Sequence, residues 1–245
     1  MKERISMSRP VKRPTLRILS AGAAQFVSEK IAAELASETG CEVKAAYGAV
    51  EAIKARVLDG EPVDLIILSA PLIEELAASG HLADGSQRDL GTVVTGVAVR
   101  AGTPLPDVSD TRVLRGNMLA AKRIVCPDPE IATAGKVVMR AVDLLGISQI
   151  VRRRMKFFPN GFATMNWLAQ SRGLLEMGVT QKTEILANGG VTWVGPLPDT
   201  LQMRTTYAAG LAAKARNPYD AKQFIARLIV PTARPMLQAA GFEFP

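Results

Sequence analysis

Few side chains in this sequence are equipped for chemistry, and their spacing removes several kinds at once. His81 is the only histidine and stands beside Gly80 in a loop, while Cys41 and Cys126 are the only cysteines and lie far apart. A transition-metal site needs several such ligands at short spacing, so no metal is expected, and no redox pair or disulfide. The chain has no glycine-rich phosphate loop and no nucleophile elbow. What remains is the chemistry of carboxylates, hydroxyls and cations. Glu51 falls in the first turn of a helical pattern, where a carboxylate either complements the helix dipole or serves as a proton-transfer base. Asp128 and Glu130 flank Pro129 and read as solvated or capping groups or as catalytic acids. Thr133 precedes Ala134 and Gly135 at a helix start, where capping and ligand contact are compatible because neighbouring N–H groups stay available. Arg152, Arg153 and Arg154, with Lys156, either end an exposed helix or clamp a polycarboxylate through paired guanidinium bonds.

The elements that must position these groups are marked by hydropathy. An apolar stretch over 16–20 predicts a strand, followed from Gln25 by Val27, Ile31 and Leu35 on one face of a helix that Gly40 closes. A second strand is expected over 43–47, then a helix with Val50, Ile53, Val57 and Leu58 on one side and Gly60 at its end. Residues 63–68 are almost continuously apolar, as in a strand covered on both faces of a parallel sheet, and a short helix over 71–78 follows. Strands separated by helices of this length predict right-handed crossovers and a doubly wound sheet, with its ligand crevice at the carboxyl ends of the strands. Those ends are residues 21–25, residues 48–51, and Ser69 with Ala70.

A valine-rich strand over 92–100 and a turn-rich stretch over 102–110 lead into a second lobe, where the pattern repeats. Strands are expected over 123–126, 175–179, 191–194 and 207–212, and helices over 134–145 and 162–170 and from Pro218 and Pro231. Phe157, Phe158, Trp167 and Trp193 read as core. Phe162, beside Gly161, is the aromatic that could face a ligand.

With 245 residues, 48% hydrophobic and 22% charged, the chain is globular; disorder, a collagen repeat and a disulfide-stapled miniprotein are excluded. The net charge of +7 suggests a polyanion partner until it is located. Lys2, Arg4, Arg9, Lys12, Arg13 and Arg17 against Glu3 alone place five of those seven charges in residues 1–17. The body is nearly neutral, residues 1–14 are expected to be a disordered basic arm, and without interleaved aromatics no nucleic acid is expected as a partner. No apolar secretory segment follows the basic start and no run of about 18 apolar residues occurs, so no membrane insertion is expected. A cytoplasmic location follows, or a periplasmic one for a chain whose leader has been removed.

Four pieces together carry a resemblance. They are Leu16-Arg17-Ile18-Leu19-Ser20-Ala21-Gly22-Ala23-Ala24, Gly60-Glu61-Pro62-Val63-Asp64-Leu65-Ile66-Ile67-Leu68-Ser69-Ala70, Asp128-Pro129-Glu130 with Ala134-Gly135, and Ala239-Ala240-Gly241-Phe242. In this order and spacing the chain resembles the periplasmic molybdate-binding proteins of ABC importers, which have the type II substrate-binding-protein fold and include relatives similar to aconitate isomerase. The resemblance implies a two-lobed α/β fold, each lobe a mixed, mainly parallel sheet flanked by helices, with residues 15–91 and 201–245 in the first lobe, 92–200 in the second and a ligand cleft between. It also implies a small anion held by helix amino termini, no cofactor, and an ABC permease as partner if the chain is exported.

In the family, hydroxyls from the first two loops add donors to a tetrahedral oxyanion. Here Ala23 or Ala24 stands at the first position, Ala49 or Val50 at the second, and the family's tyrosine position falls near Thr180. Losing hydrogen bonds to a charged ligand costs roughly 1.5–3 kcal/mol each, which argues against molybdate. Methyl groups suit a ligand with carbon atoms, its donors supplied by Ser20, Gln25, Ser69, Thr133, Asn160 and Thr180. The expected site therefore comprises Ser20, Ala21, Gly22, Ala23, Ala24, Gln25, Ala49, Val50, Ser69, Thr133, Ala134, Asn160, Gly161, Phe162 and Thr180, with Glu51 as candidate base. Two functions are carried forward: binding of a small organic carboxylate, and isomerisation of an unsaturated di- or tricarboxylate.

Overall fold

The computed structural model describes residues 15–244; the basic arm expected over 1–14 lies outside them. β1 (Thr15–Ala21) passes through a single 3-10 turn (Gly22–Ala24) into α1 (Gln25–Thr39), which buries Val27, Ile31 and Leu35 and ends on the left-handed Gly40. β2 (Glu42–Gly48), α2 (Val50–Leu58), β3 (Leu65–Ser69) and α3 (Ala70–Ala78) follow, then β4 (Arg88–Val93). The second lobe holds β5 (Thr95–Arg100), α4 (Thr111–Ala120), β6 (Arg123–Pro127), α5 (Thr133–Leu144), α6 (Ser148–Val151), β7 (Met155–Phe158), α7 (Gly161–Gln170), β8 (Glu176–Gln181), α8 (Lys182–Leu186) and β9 (Val191–Pro196). β10 (Thr205–Leu211), α9 (Pro218–Ile229) and α10 (Arg234–Ala239) return to the first.

The two sheets share one plan. The first has the order β2-β1-β3-β10-β4 and the second β7-β6-β8-β5-β9. In each, three parallel strands lie beside an antiparallel one, β10 or β5, and that strand carries a register shift, between Tyr207 and Ala208 or between Val97 and Ala98. The expected α/β fold with two mixed, mainly parallel sheets is the observed one. β3 is buried at every position, as its unbroken apolar run requires.

Each sheet packs helices on both faces. Ile18, Leu65 to Leu68, Phe224 and Phe242 belong to the core of the first lobe. In the second, successive strand residues alternate between two cores: Val97, Ile124 and Cys126 face Val138 and Val142 of α5, whereas Ala98 and Val125 face Met165 and Leu168 of α7. Fully burying one such aliphatic side chain stabilises the fold by about 1.5–3 kcal/mol.

Several expectations need correction. The strand expected over 92–100 is two strands: Thr92 and Val93 belong to β4 in the first sheet, and the chain crosses at Val94 into β5. The apolar run is continuous across the crossing, so hydropathy shows no break. What separates the strands is pairing, because Thr92 bonds Glu243 through the backbone while the Gln202 side chain brackets Thr95 from both its N–H and its carbonyl. β4, α4, β7 and α8 were not legible; α4 buries only Leu114 and Met118, and α8 is five residues long. Leu58 is exposed rather than part of the apolar face of α2.

Candidate functional site

The carboxyl ends of the parallel strands in the two lobes face each other across a small cavity of about 20 Å³. Admitting a ligand of several carbon atoms therefore requires the lobes to part. Larger hollows of about 360 and 470 Å³ lie at the opposite ends of the strands, around Lys122 and Glu176 in the second lobe and around Arg17 and Asp64 in the first. The crevice rule for open α/β sheets favours the small cavity as the site.

Five chain segments line it. Ala21, Gly22 and Ala23 come from the turn after β1, Gly48, Ala49 and Val50 from the start of α2, and Ala132, Thr133 and Ala134 from the start of α5. Asn160 and Gly161 open α7, Gln181 ends β8 and Glu184 lies on α8; Pro127 and Tyr207 complete the wall. The helices at this wall begin without side-chain caps: Ala24 before α1, Ala49 before α2, Ala132 before α5 and Gln181 before α8 accept no bond from their own helix. Asn160 is the exception, its side chain accepting from the Ala163 N–H at 2.8 Å. Thr133 is the first residue of α5 and not its cap, since the capping position is Ala132. Uncapped first turns leave N–H groups and the positive end of the helix dipole directed at the cavity. Among the described residues, neither lysine nor arginine lines it.

Of the residues expected from sequence, Ala21, Gly22, Ala23, Ala49, Val50, Thr133, Ala134, Asn160 and Gly161 are brought together at the cavity. The others sit elsewhere. Ser20 is buried with its hydroxyl donating to the Ala21 carbonyl, Ala24 is packed in the first core, and Gln25 donates to Glu29 one turn along α1. Ser69 precedes α3 without capping it. Phe162 approaches Gly22 from α7, where a Cβ built on Gly22 would meet its ring at 3.5 Å. Thr180 is buried one layer behind the wall and holds Glu184.

Glu51, the expected base, is occupied at the rim: its side chain pairs with Lys136 of the other lobe at 2.9 Å, and its backbone N–H donates to the Ile131 carbonyl. Asp128 accepts from the Glu130 N–H within its own turn. Arg154 donates to the Leu119 and Ala121 carbonyls, and Lys156 lies over the rings of Phe158 and Trp167, so neither belongs to the cavity wall. His81 contacts only Ser79 through its ring nitrogen. Among the described residues, no group of three or more His, Cys, Asp or Glu could hold a metal.

The carboxyl that does face the cavity is Glu184. It is 6% exposed, and its Oε2 accepts from the Thr180 hydroxyl at 2.6 Å. Burial pushes it up to about 7; bonds from Thr180 and from the Gln181 and Gly161 N–H groups offset only part of that rise. Gly161 is required here, because a Cβ would lie 1.8 Å from Glu184 Oε2. Beside it Tyr207 is buried, its hydroxyl raised above the usual range by burial and then by the Glu184 charge. The Gln181 side-chain oxygen is buried without a partner.

Glu184, Gln181 and Tyr207 escaped the sequence reading because the strand was expected to stop at Val179 and no helix was seen after it. The available signal was positional: an acidic residue one turn after a strand's carboxyl end falls in the crevice of such a fold.

Two lobes of matching strand order, with largely uncapped helix starts converging on a buried cavity between them, define a two-lobed binding-protein fold. The family of bacterial extracellular solute-binding proteins matches residues 16–243, and the chain belongs to it. An aconitate isomerase of a Pseudomonas species is 25% identical over 235 residues, covering 94% of this chain and 87% of the relative. The periplasmic molybdate-binding protein of Azotobacter vinelandii superposes with a TM-score of 0.80 at 20% identity, covering 94% of this chain and 99% of the other. L-phospholactate-bound PEB3 of Campylobacter jejuni gives 0.68 at 17% identity, covering 94% and 100%. Among the described residues no helix is long and apolar enough to cross a membrane.

Proposed function

We propose that the chain binds a small organic carboxylate in the interlobe cleft. The observation that carries this reading is the pairing of uncapped helix starts with methyl-bearing side chains: the wall offers backbone N–H groups for anionic oxygens and Ala21, Ala23, Ala49, Val50, Ala132 and Ala134 for carbon. Among the described residues no lysine or arginine at the wall competes for the charge. The L-phospholactate bound to a protein of the same fold carries a carboxylate and a phosphate on a short carbon skeleton, which supports a small organic anion as ligand. Titration calorimetry with molybdate and with di- and tricarboxylates tests the reading. Carboxylates are expected to bind and molybdate to bind at least a hundredfold more weakly, as a loss of about 3 kcal/mol requires; tight molybdate binding overturns it. If the chain is exported, an ABC permease is the partner that such a receptor serves.

A second reading has its own support. Isomerisation of an unsaturated di- or tricarboxylate needs a buried base at the ligand, and Glu184 meets that need where Glu51, tied to Lys136, does not. The 25% identical aconitate isomerase supports the same chemistry. Incubating the protein with trans-aconitate in deuterium oxide and following the vinyl and methylene protons by NMR decides it: exchange or a second isomer supports catalysis, and an unchanged spectrum removes it.

A further inference from the structure

Glu184 puts a carboxyl where an anion is expected, and among the described residues nothing cationic faces it. α7, β9 and the turn Gly22–Ala24 contribute no ionisable side chain. On β8 the one charged group, Glu176, sits at the far end of the strand against Arg123, and on β5 Arg100 is likewise at the far end. Lys182, on α8 itself, is engaged by Glu243, and Lys136 across the cleft by Glu51. Tyr207 on β10 is the remaining titratable neighbour and adds no positive charge.

The two oxygens of Glu184 are not equivalent. Oε2 is turned into the second lobe, accepting from Thr180 and lying against Gly161. Oε1 is directed at the first lobe, 2.9 Å from where a Cβ of Gly22 would stand. A proton on Oε1 would point across the cleft at the turn whose N–H groups would hold an anion. Ionised, the same oxygen repels that anion at short range in a buried site; protonated, it is a donor.

Resting on the carboxylate-binding reading, we propose that Glu184 is a specificity-determining residue of the cleft that binds its ligand in the neutral form, so that each carboxylate enters with one proton taken up from solvent. The free group titrates near neutrality, so this uptake falls in the accessible range. The neutral acid spans the gap from second lobe to ligand and ties closure to the presence of an anion. It also separates the two functional readings, because a base for isomerisation must be ionised when the substrate is bound.

The test is calorimetry on the full chain with tricarballylate, between about pH 7 and about pH 9, where the probe's own carboxyls are ionised, in two buffers of different ionisation enthalpy. The expected result is proton uptake that rises from about half a proton at pH 7 toward one at pH 9, and an association constant that falls by up to about tenfold per pH unit. Glu184→Gln, which keeps a donor on one side and an acceptor for Thr180 on the other, should show neither the slope nor the uptake. Binding by the parent chain without proton uptake overturns this inference alone and is the outcome a catalytic base requires. A Glu184→Gln protein that retains the slope overturns it too. No binding of the tricarboxylate or of shorter dicarboxylates at any pH overturns the carboxylate reading itself, and the inference with it.

Discussion

Three helices near the cleft, α1, α2 and α5, lack the side-chain cap that α4 and α9, farther away, carry, whereas α7 opens at the cleft with Asn160 as its cap. α4 starts on Asp110, whose carboxylate accepts from the Arg112 and Val113 N–H groups, and α9 starts on Asn217, whose side chain accepts from Asp220. α1, α2 and α5 start on alanine. A cap is worth about 1 kcal/mol, so three helices forgo a stabilisation that the outer two keep. The difference teaches where the protein holds donors in reserve: α5 and the turn before α1 start beside the cavity without a side-chain cap, whereas in α2 the Glu51 N–H is taken by the Ile131 carbonyl. Stability is given up where binding needs unsatisfied groups.

The strongest way to break this contrast is to fill the cleft. Gly161→Ala drives a Cβ into Glu184, and the expected outcome is loss of carboxylate binding with about 3 kcal/mol of destabilisation in chemical denaturation. Glu184→Gln is expected to act in the opposite sense on stability. The folded chain keeps the Glu184 proton up to about 7 whereas the unfolded chain releases it near 4.5, so the folded state binds the extra proton between those values. Stability therefore falls as pH rises through that window, and the variant should remove the slope, gaining on the order of 3 kcal/mol at pH 8.

Caps give a sharper and smaller test. Asp110→Ala should cost about 1 kcal/mol and leave ligand affinity unchanged, while Ala132→Asp should stabilise the ligand-free protein by up to about 1 kcal/mol and weaken carboxylate binding at least tenfold. Paired thermal melts and titrations check both, and equal effects on affinity would erase the distinction between the two regions. Smallest of all is the rim. Lys136→Ala removes an exposed pair with Glu51, so a stability change of no more than about 0.5 kcal/mol and an affinity change below about threefold are expected.

How far the site could be read in advance followed from how local its signals are. Ala21 to Ala23 and Ala49 with Val50 were legible because they directly follow strands whose apolar patterns are strong, and a strand's carboxyl end fixes the crevice. Thr133 and Ala134 were legible from the proline turn before them. Gln25 failed because helical periodicity says that α1 starts there but not which way its side chain turns; it bonds Glu29 instead. Glu51 failed because its partner, Lys136, belongs to the other lobe and is 85 residues away in the chain.

By itself the sequence determined the alternation of strands and helices, the near-neutral body behind a basic start, the shortage of metal ligands and the methyl groups at the loops after β1 and β2. These are properties of composition and short-range period, which do not depend on what the chain meets later. Only the tertiary structure decided where the chain crosses between lobes at Val94, that α8 exists, and that Glu184 reaches the cavity. Each of those depends on pairing between distant segments: β5 with β8 and β9, Thr180 placed beneath Glu184, and Gly22 opposite it. The ionisation of Glu184 belongs to the same class, because a carboxyl is raised by the burial that folding gives it and not by its neighbours in sequence.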